Sequence, residues 1–311
     1  MKNSDELNSR FGIASQVSFK QLPDGIVVAE IDNALATATI SFDGGHVVTW
    51  RPKRQSSPVL WVSKLAKFIP GKAIRGGVPI CWPWFGAHPT DKKLPGHGYA
   101  RITPWGVDSV LTLEGGATEV KLTLQETDVS LVHWPHSVGL SATITVGSTL
   151  TIELTTTNSS DQEISLTEGL HTYFQISDIA NISVLGLDGC EYVDLISDNI
   201  QRKQVGAIRF DGELGRIYVN TNGTCVIEDP QLNRRIRIEK TGSLSTAVWS
   251  PWEATATKMD DLGANGWRDM VCVESANSVG NPVAVSPGAS HTLVSIYSVE
   301  SILPSAVSTT A

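Results

Sequence analysis

Two polar residues stand in otherwise apolar, strand-like segments, and both types of side chain can transfer protons. Glu274 follows the apolar run of residues 270–273, and His171 lies among apolar and aromatic residues in the segment 168–174. A charged carboxylate is costly to bury alone, so such a residue is paired, solvated or tuned for proton transfer. Taken singly, each is more often structural, as a core histidine and an ion-pair partner. Together they predict a general acid/base pair held in a rigid sheet.

The segment 75–86, Arg-Gly-Gly-Val-Pro-Ile-Cys-Trp-Pro-Trp-Phe-Gly, combines an arginine, glycines and aromatic side chains. Glycine allows the backbone to approach a ligand closely. Flat aromatic faces such as those of Trp82, Trp84 and Phe85 are a common way to hold a sugar ring, and Trp249 and Trp252 add two more. A turn packed with core aromatics is an equally good interpretation of this segment.

A second glycine-rich segment, residues 96–101, contains His97 and Arg101. Residues four apart share a face of an extended chain, so both side chains are expected to point into one cavity. A guanidinium offers a forked set of donors that suits phosphate or carboxylate. The alternative is a surface loop with solvated charges.

Period-two alternation of apolar and polar residues indicates the elements that position these groups. It occurs at residues 36–42, 120–125, 140–146 and 150–154, and turn signals separate the runs. Helical periodicity is scarce, with short candidates at residues 1–8 and 253–262. We predict an all-β protein, a large antiparallel β-sandwich, with a single domain over residues 11–303 and loosely ordered termini at 1–10 and 304–311.

Composition narrows the class of ligand. The chain of 311 residues has a formal net charge of −8 and no long basic run, which argues against nucleic acid as a partner.

The chain has no apolar run that could span a membrane and no apolar N-terminal leader, so we expect no membrane association. Its four cysteines, Cys81, Cys190, Cys225 and Cys272, are widely spaced and form no zinc motif or disulfide framework. We expect a cytoplasmic monomer.

Five motifs together resemble one known family. They are the segments 75–86 and 96–101 above, Leu170-His-Thr-Tyr-Phe174, Trp249-Ser-Pro-Trp252 and Val271-Cys-Val-Glu274. In order and spacing they are similar to the D-hexose-6-phosphate mutarotases, the glucose-6-phosphate 1-epimerase branch of the aldose 1-epimerase superfamily. The resemblance covers about residues 20–300.

The resemblance implies a galactose-mutarotase-like fold with the sugar site on a concave sheet. It also implies interconversion of the α and β anomers of a hexose 6-phosphate, with no cofactor and no metal. His171 and Glu274 match the family's catalytic residues, Arg75 and Arg101 match positions associated with the substrate phosphate, and His97 matches a second active-site histidine. We add Trp249 as a substrate-binding residue.

The chain departs from the family pattern at three positions. Gly215 stands where the family often has an aspartate that contributes to substrate binding, so one contact with a sugar hydroxyl is missing or supplied differently. Ser250 replaces an asparagine, and Thr255 stands where a lysine is often found. These differences bear on which sugar is preferred and leave the acid/base pair intact.

Three other functions remain open on the sequence. One is an aldose 1-epimerase acting on unphosphorylated sugars, which shares the fold and the acid/base pair but has no use for Arg75 and Arg101. Another is a carbohydrate-binding protein without catalysis. The last is a structural all-β protein, which leaves the glycine-rich segments unexplained.

Overall fold

Antiparallel strands are the main regular secondary structure of the described residues, as the period-two alternation predicts. The computed structural model describes residues 3–125, 134–197 and 199–302. Each of the four alternating segments falls within or overlaps a strand, and in strand 150–158 every second residue is buried. The all-β prediction is therefore confirmed. Strands are numbered below in chain order.

Eight strands form the sheet that we call the back sheet. In spatial order they are β13 (Ser183–Leu185), β17 (Cys225–Asp229), β18 (Arg234–Thr241), β22 (Ser290–Ser301), β9 (Leu150–Asn158), β8 (Val138–Val146), β7 (Thr118–Leu124) and β6 (Trp105–Thr112). All neighbours in this sheet pair antiparallel.

The other eight-stranded sheet carries the residues of interest, and we call it the site sheet. Its strands in spatial order are β15 (Ile200–Lys203), β14 (Glu191–Asp194), β16 (Leu214–Tyr218), β19 (Ser245–Ser250), β20 (Met270–Asn277), β11 (Glu168–Leu170) and β5 (Ile80–Cys81), with β12 (Tyr173–Gln175) also paired to β20. Every residue of β20 is buried. Strand β20 therefore carries Glu274 into the middle of the sheet and away from bulk water.

The two large sheets pack face to face, which confirms the predicted sandwich. The hydroxyls of Ser275 and Ser295 lie 2.8 Å apart across the interface, and those of Thr172 and Tyr297 lie 2.7 Å apart. The Tyr297 ring also packs edge-on against Phe174. One hydrophobic cluster extends through this interface and includes residues from Leu7 to Tyr297. The single domain over residues 11–303 stays a prediction.

Smaller elements complete the described structure. Four strands, β1 (Val17–Gln21), β2 (Val27–Asp32), β3 (Ala36–Ser41) and β4 (His46–Pro52), form an antiparallel sheet, and β10 (Ile164–Leu166) pairs with β21 (Val283–Val285). Helix α1 spans Ser4–Phe11, helix α2 spans Trp252–Ala256, and two 3₁₀ turns occupy Ala100–Ile102 and Ile179–Asn181. Within the described ranges, neither helix has the length and apolarity needed to cross a membrane.

The N-terminal segment contains a helix that overlaps the short candidate at residues 1–8, and the loosely ordered termini stay a prediction. Helix α1 buries Leu7 and Phe11, and Asn3 accepts a hydrogen bond from the Asp5 amide as its N-cap. The Asn8 side chain exchanges two hydrogen bonds with the backbone of Phe19 in β1. Residues 4–10 are thus held by packing and hydrogen bonds. Residues 304–311 lie outside the described part of the chain.

A buried carboxylate links the site sheet to the back sheet beside the acid/base pair. Glu168 in β11 is fully buried, and its Oε1 accepts hydrogen bonds from His291 Nε2 at 2.9 Å and from Asn277 Nδ2 at 3.1 Å. The hydrogen bond with Glu168 raises the pKa of His291, because it favours the charged imidazole. Strands β11, β20 and β22 are joined at this point.

We expect His291→Ala to lower the free energy of unfolding by about 3 kcal/mol, because Glu168 loses the partner of its buried charge. The raised pKa makes the stabilisation by His291 complete below the ordinary imidazole pKa, and it is lost as pH rises through the raised value. Urea unfolding of both proteins at pH 6 and pH 9 measures the loss. A loss below 1 kcal/mol at pH 6, or one that grows with pH, contradicts this role.

Candidate active site

Neighbouring strands of the site sheet align their side chains in two rows on one face. Directly paired residues of antiparallel strands point to the same side. The register gives one row as Glu274, Ala247 and Ile217, and the other as Tyr173, Cys272, Trp249 and Gly215. These two rows form the floor of a cavity of about 420 Å³, a size typical of small-molecule sites.

The structure brings His171 and Glu274 together, as the sequence predicts. His171 follows β11 at the point where the chain passes from β11 to β12, and its amide donates to Pro79 O at 3.0 Å. Both strands pair with β20, which carries Glu274. His171 Nδ1 lies 3.5 Å from Glu274 Oε1, and both residues line the cavity. We call these two residues the acid/base pair.

Burial shifts the pKa values of the pair in opposite directions. It raises the pKa of Glu274 well above the usual carboxyl value, and the nearby Arg101 offsets this only in part. Burial lowers the pKa of His171 well below the usual imidazole value, and electrostatic interactions with His97, Arg101 and Arg75 lower it further. The two shifts favour a pair without net charge that holds one proton, which is the state from which proton exchange with a ligand can start.

His97 reaches the cavity on a turn with a left-handed backbone, at φ 63°. Its ring centroid lies 5.3 Å from that of His171. Burial, with Arg101 and Arg75, lowers the pKa of His97 to about 3, so its ring is neutral near pH 7. Nδ1 accepts a hydrogen bond from the Gly86 amide at 3.3 Å and faces the Cys81 sulfur at 3.4 Å. A neutral ring that accepts at Nδ1 carries its proton on Nε2 and can donate it to a ligand.

Arg101 also lines the cavity, although its segment is not the extended chain we expected. It lies in the 3₁₀ turn Ala100–Ile102, and the turn brings both it and His97 to the cavity. Its Nη2 donates to Gly96 O at 2.6 Å, and its buried Nε has no hydrogen-bond partner among the described residues. A buried donor without a partner is available to an anionic ligand.

Arg75 is held in place by two groups that the sequence interpretation did not assign. Its Nε lies 3.1 Å from Asp261 Oδ1, and its Nη1 donates to the Tyr173 hydroxyl at 2.9 Å. The Tyr173 ring stacks on the His171 ring with centroids 4.9 Å apart. Arg75, Asp261, Tyr173 and His171 all line the cavity, so they form one connected wall.

The aromatic residues divide between the cavity and the core. Trp249 lines the cavity with its ring edge-on to His171 and Tyr173, and Phe85 lines it beside His97. Trp82 and Trp84 are instead buried, and their indole nitrogens donate to Thr156 Oγ1 and Pro95 O. In the segment 75–86, the core interpretation therefore applies to both tryptophans and the ligand interpretation to Phe85.

Sequence reasoning missed several residues of the cavity wall. Asp261 and Met259 come from the irregular chain after α2, and Leu195 comes from the turn after β14. Tyr173 stood within a quoted motif, but nothing in its spacing showed that its hydroxyl bonds Arg75. Only the pairing of strands far apart in sequence brings these residues to one cavity.

One group in the cavity floor has the donor atoms of a metal site. Ligand atoms of His171, Cys272 and Glu274 lie within 4.8 Å of one another. Burial and the neighbouring Glu274 raise the pKa of the Cys272 thiol well above its usual value, which disfavours the thiolate that binds metals. This group therefore suits proton transfer between His171 and Glu274 better than it suits a metal ion.

Comparison with known proteins identifies the family of this chain. The family model described as aldose 1-epimerase matches residues 28–298. A relative from Escherichia coli, named "Putative glucose-6-phosphate 1-epimerase", is 36% identical over 264 residues, which is 84% of this chain and 87% of the relative.

Solved structures show the same fold. A structure from Salmonella typhimurium, described as a putative mutarotase, aligns with a TM-score of 0.87 and 32% identity over 94% of this chain and 96% of that one. A galactose mutarotase related enzyme from Lactobacillus acidophilus aligns with a TM-score of 0.70 at 12% identity over 88% of this chain and 98% of that one, a likeness of fold alone. This chain belongs to the aldose 1-epimerase family.

Proposed function

We propose that the protein interconverts the α and β anomers of D-glucose 6-phosphate and related hexose 6-phosphates. The observation that carries this is the acid/base pair, buried in the same cavity as two arginines. The name of the Escherichia coli relative, which includes glucose 6-phosphate, supports the same substrate. We further propose a cytoplasmic monomer that needs no cofactor, metal or nucleic acid.

Anomer exchange requires the pyranose ring to open and close. Glu274 acts as the base that removes the proton from the C1 hydroxyl, and His171 is the acid that gives a proton to the ring oxygen. The C1–O5 bond then breaks, leaving an aldehyde at C1 and a hydroxyl at C5. Rotation about the C1–C2 bond presents the other face of the aldehyde. The reverse proton transfers close the ring as the other anomer and restore the pair.

The phosphate group binds the two arginines, and its charge also affects the acid/base pair. The positive charges of Arg101 and Arg75 are among the causes of the lowered pKa of His171. A bound phosphate brings negative charge to those guanidiniums and so offsets their effect on the imidazole. The pKa of His171 then rises toward its usual value, and the shared proton moves from Glu274 to His171. The substrate thus helps to produce the charged form that the mechanism uses.

Other cavity residues hold the sugar in position. His97 presents its Nε2 proton as a donor toward the ring oxygen or the C1 hydroxyl. The indole of Trp249 supplies a flat apolar face for the pyranose ring. Arg75 and Arg101 bind the phosphate as charge-assisted donors. Fixing the sugar in this way adds to the 10²–10⁴-fold that each proton-transfer group typically contributes.

An unphosphorylated sugar is the second candidate substrate, because the acid/base pair alone would serve it. Two-dimensional exchange NMR of the anomeric protons measures the catalysed rate for any sugar without a coupling enzyme. We expect kcat/KM for glucose 6-phosphate to exceed that for glucose or galactose by at least 100-fold. Equal values would refute the role of the arginines. If the protein catalysed exchange of none of the three sugars, the conclusion would be a carbohydrate-binding protein without catalysis.

A further inference from the structure

One side of the cavity is built almost entirely from apolar surface. Leu195, Gly215, Ile217 and Ala247 form this side, which we call the apolar shelf. It lies beyond Trp249 as seen from β20, since Gly215 pairs with Trp249 and Ile217 with Ala247. The Leu195 amide donates to Gly215 O at 2.8 Å, which fixes the turn after β14 against the shelf.

Gly215 presents no side chain to the shelf. The three heavy atoms nearest to a β-carbon placed there are Ile196 Cδ1 at 3.3 Å, Leu195 Cβ at 3.5 Å and Ile196 Cγ1 at 3.6 Å, so Leu195 and Ile196 closely bound this position. The backbone of Gly215 is not in the left-handed region, so its conformation does not require glycine. The missing side chain therefore makes room within the cavity, next to the Trp249 indole.

The charged and polar residues closest in sequence to the shelf are engaged elsewhere. The Arg216 guanidinium lies over the Tyr192 ring, and its Nη1 donates to Gln204 at 3.0 Å. Asp194 Oδ1 accepts from the Ile196 and Ser197 amides. Arg216 also lines the cavity, and its buried Nε has no hydrogen-bond partner among the described residues, but the four shelf residues themselves offer no polar side chain to a sugar hydroxyl.

The rim of the shelf exposes large apolar side chains. Leu195 and Ile196 are 45% and 49% exposed. Exposed apolar surface that continues into a cavity is typical of a ligand-binding surface. A hydroxyl placed here would lose its hydrogen bonds to water without replacement, whereas an apolar group would gain contacts.

We propose that the apolar shelf accepts the apolar end of a substituent on the sugar ring, and that the substrates include N-acylated amino-sugar 6-phosphates, whose acyl methyl is such an end. The inference rests on the proposed function. With C1 at the acid/base pair and the phosphate at the arginines, the C2–C4 edge of the ring is what remains to face the shelf. The methyl of an acetamido group then packs against the shelf beside Gly215, where a hydroxyl would lose its hydrogen bonds to water. Gly215 is then a residue that determines specificity.

The test compares glucose 6-phosphate with 2-acetamido-2-deoxyglucose 6-phosphate by exchange NMR. In the wild-type protein we expect kcat/KM for the acetamido sugar to be within tenfold of that for glucose 6-phosphate. In Gly215→Asn, the ratio of the two values should fall at least tenfold, since one misplaced group in a closed pocket is worth about 10–200-fold. Gly212→Asn is the matched control, because a β-carbon at Gly212 meets nothing within 4 Å and Gly212 is not among the residues that line the cavity.

Leu195→Asn is the second variant, at a half-exposed position where folding tolerates a polar residue, and it should lower the same ratio. The wild-type protein can exchange glucose 6-phosphate and still have a kcat/KM for the acetamido sugar more than tenfold below that for glucose 6-phosphate. This result overturns the shelf proposal and leaves the proposed function standing. So does an unchanged ratio in both variants. Failure to exchange either phosphate ester overturns the proposed function itself.

Discussion

Replacing Glu274 by glutamine is expected to reduce kcat for glucose 6-phosphate at least about 10³-fold with the fold retained. The amide has nearly the same shape, but it cannot accept the proton of the C1 hydroxyl. Glu274 is 2% exposed and burial raises its pKa, so a neutral side chain at this position adds no cost of burying charge. Exchange NMR of the anomeric protons measures the rate, and thermal unfolding checks the fold.

The pH dependence gives this prediction a second readout. The pair acts with one shared proton, so wild-type activity should fall at low pH, where a second proton is added, and also as pH rises through the raised pKa of Glu274, where the shared proton is lost. Glu153→Gln, an outward-facing substitution in β9 of the back sheet, is the matched control and should keep the wild-type rate and profile. A Glu274→Gln protein that works at the wild-type rate would remove the proposed base from the mechanism.

The sequence was sufficient for the fold class because alternation is a local property. In β8 and β9, the alternating apolar residues are the ones that the sandwich buries. Strand order is not local, however, and nothing in the chain shows that β20 lies between β19 and β11. Helix α1 overlaps the short helical candidate at residues 1–8, but the burial of Leu7 and Phe11 that holds it could not be read from its polar first turn.

Some residues of the site could likewise be predicted from the local sequence, and others only from the tertiary structure. His171 and Glu274 could be selected from the sequence, because a proton-transfer group within an apolar strand is unusual in itself. Asp261 could not, because it lies in an irregular segment and becomes relevant only through its contact with Arg75. Trp82 and Trp84 were ambiguous, since packing partners distinguish a core indole from one that faces a ligand, and those partners are distant in sequence.

Removing either arginine is expected to reduce the preference for phosphorylated sugars. Arg101→Ala or Arg75→Ala deletes charge-assisted hydrogen bonds that are worth about 1.5–3 kcal/mol each, so kcat/KM for glucose 6-phosphate should fall about 10–100-fold. Glucose has no phosphate to contact the arginines, so its kcat/KM should not change. The ratio of kcat/KM for glucose 6-phosphate to that for glucose should therefore fall by the same factor. Arg237→Ala on the back sheet, where the arginine pairs with Glu239 and lies outside the cavity, is the matched control.

The arginine variants also test whether the phosphate site acts on the acid/base pair. Arg101 lowers the pKa of His171, so Arg101→Ala should raise it and move the imidazole titration in the pH–rate profile of the free enzyme to higher pH. The phosphate loses one of its two arginines in the same variant, so KM for glucose 6-phosphate should rise. A rise in KM alone, with an unmoved profile, would show that the arginines bind phosphate without tuning the catalyst.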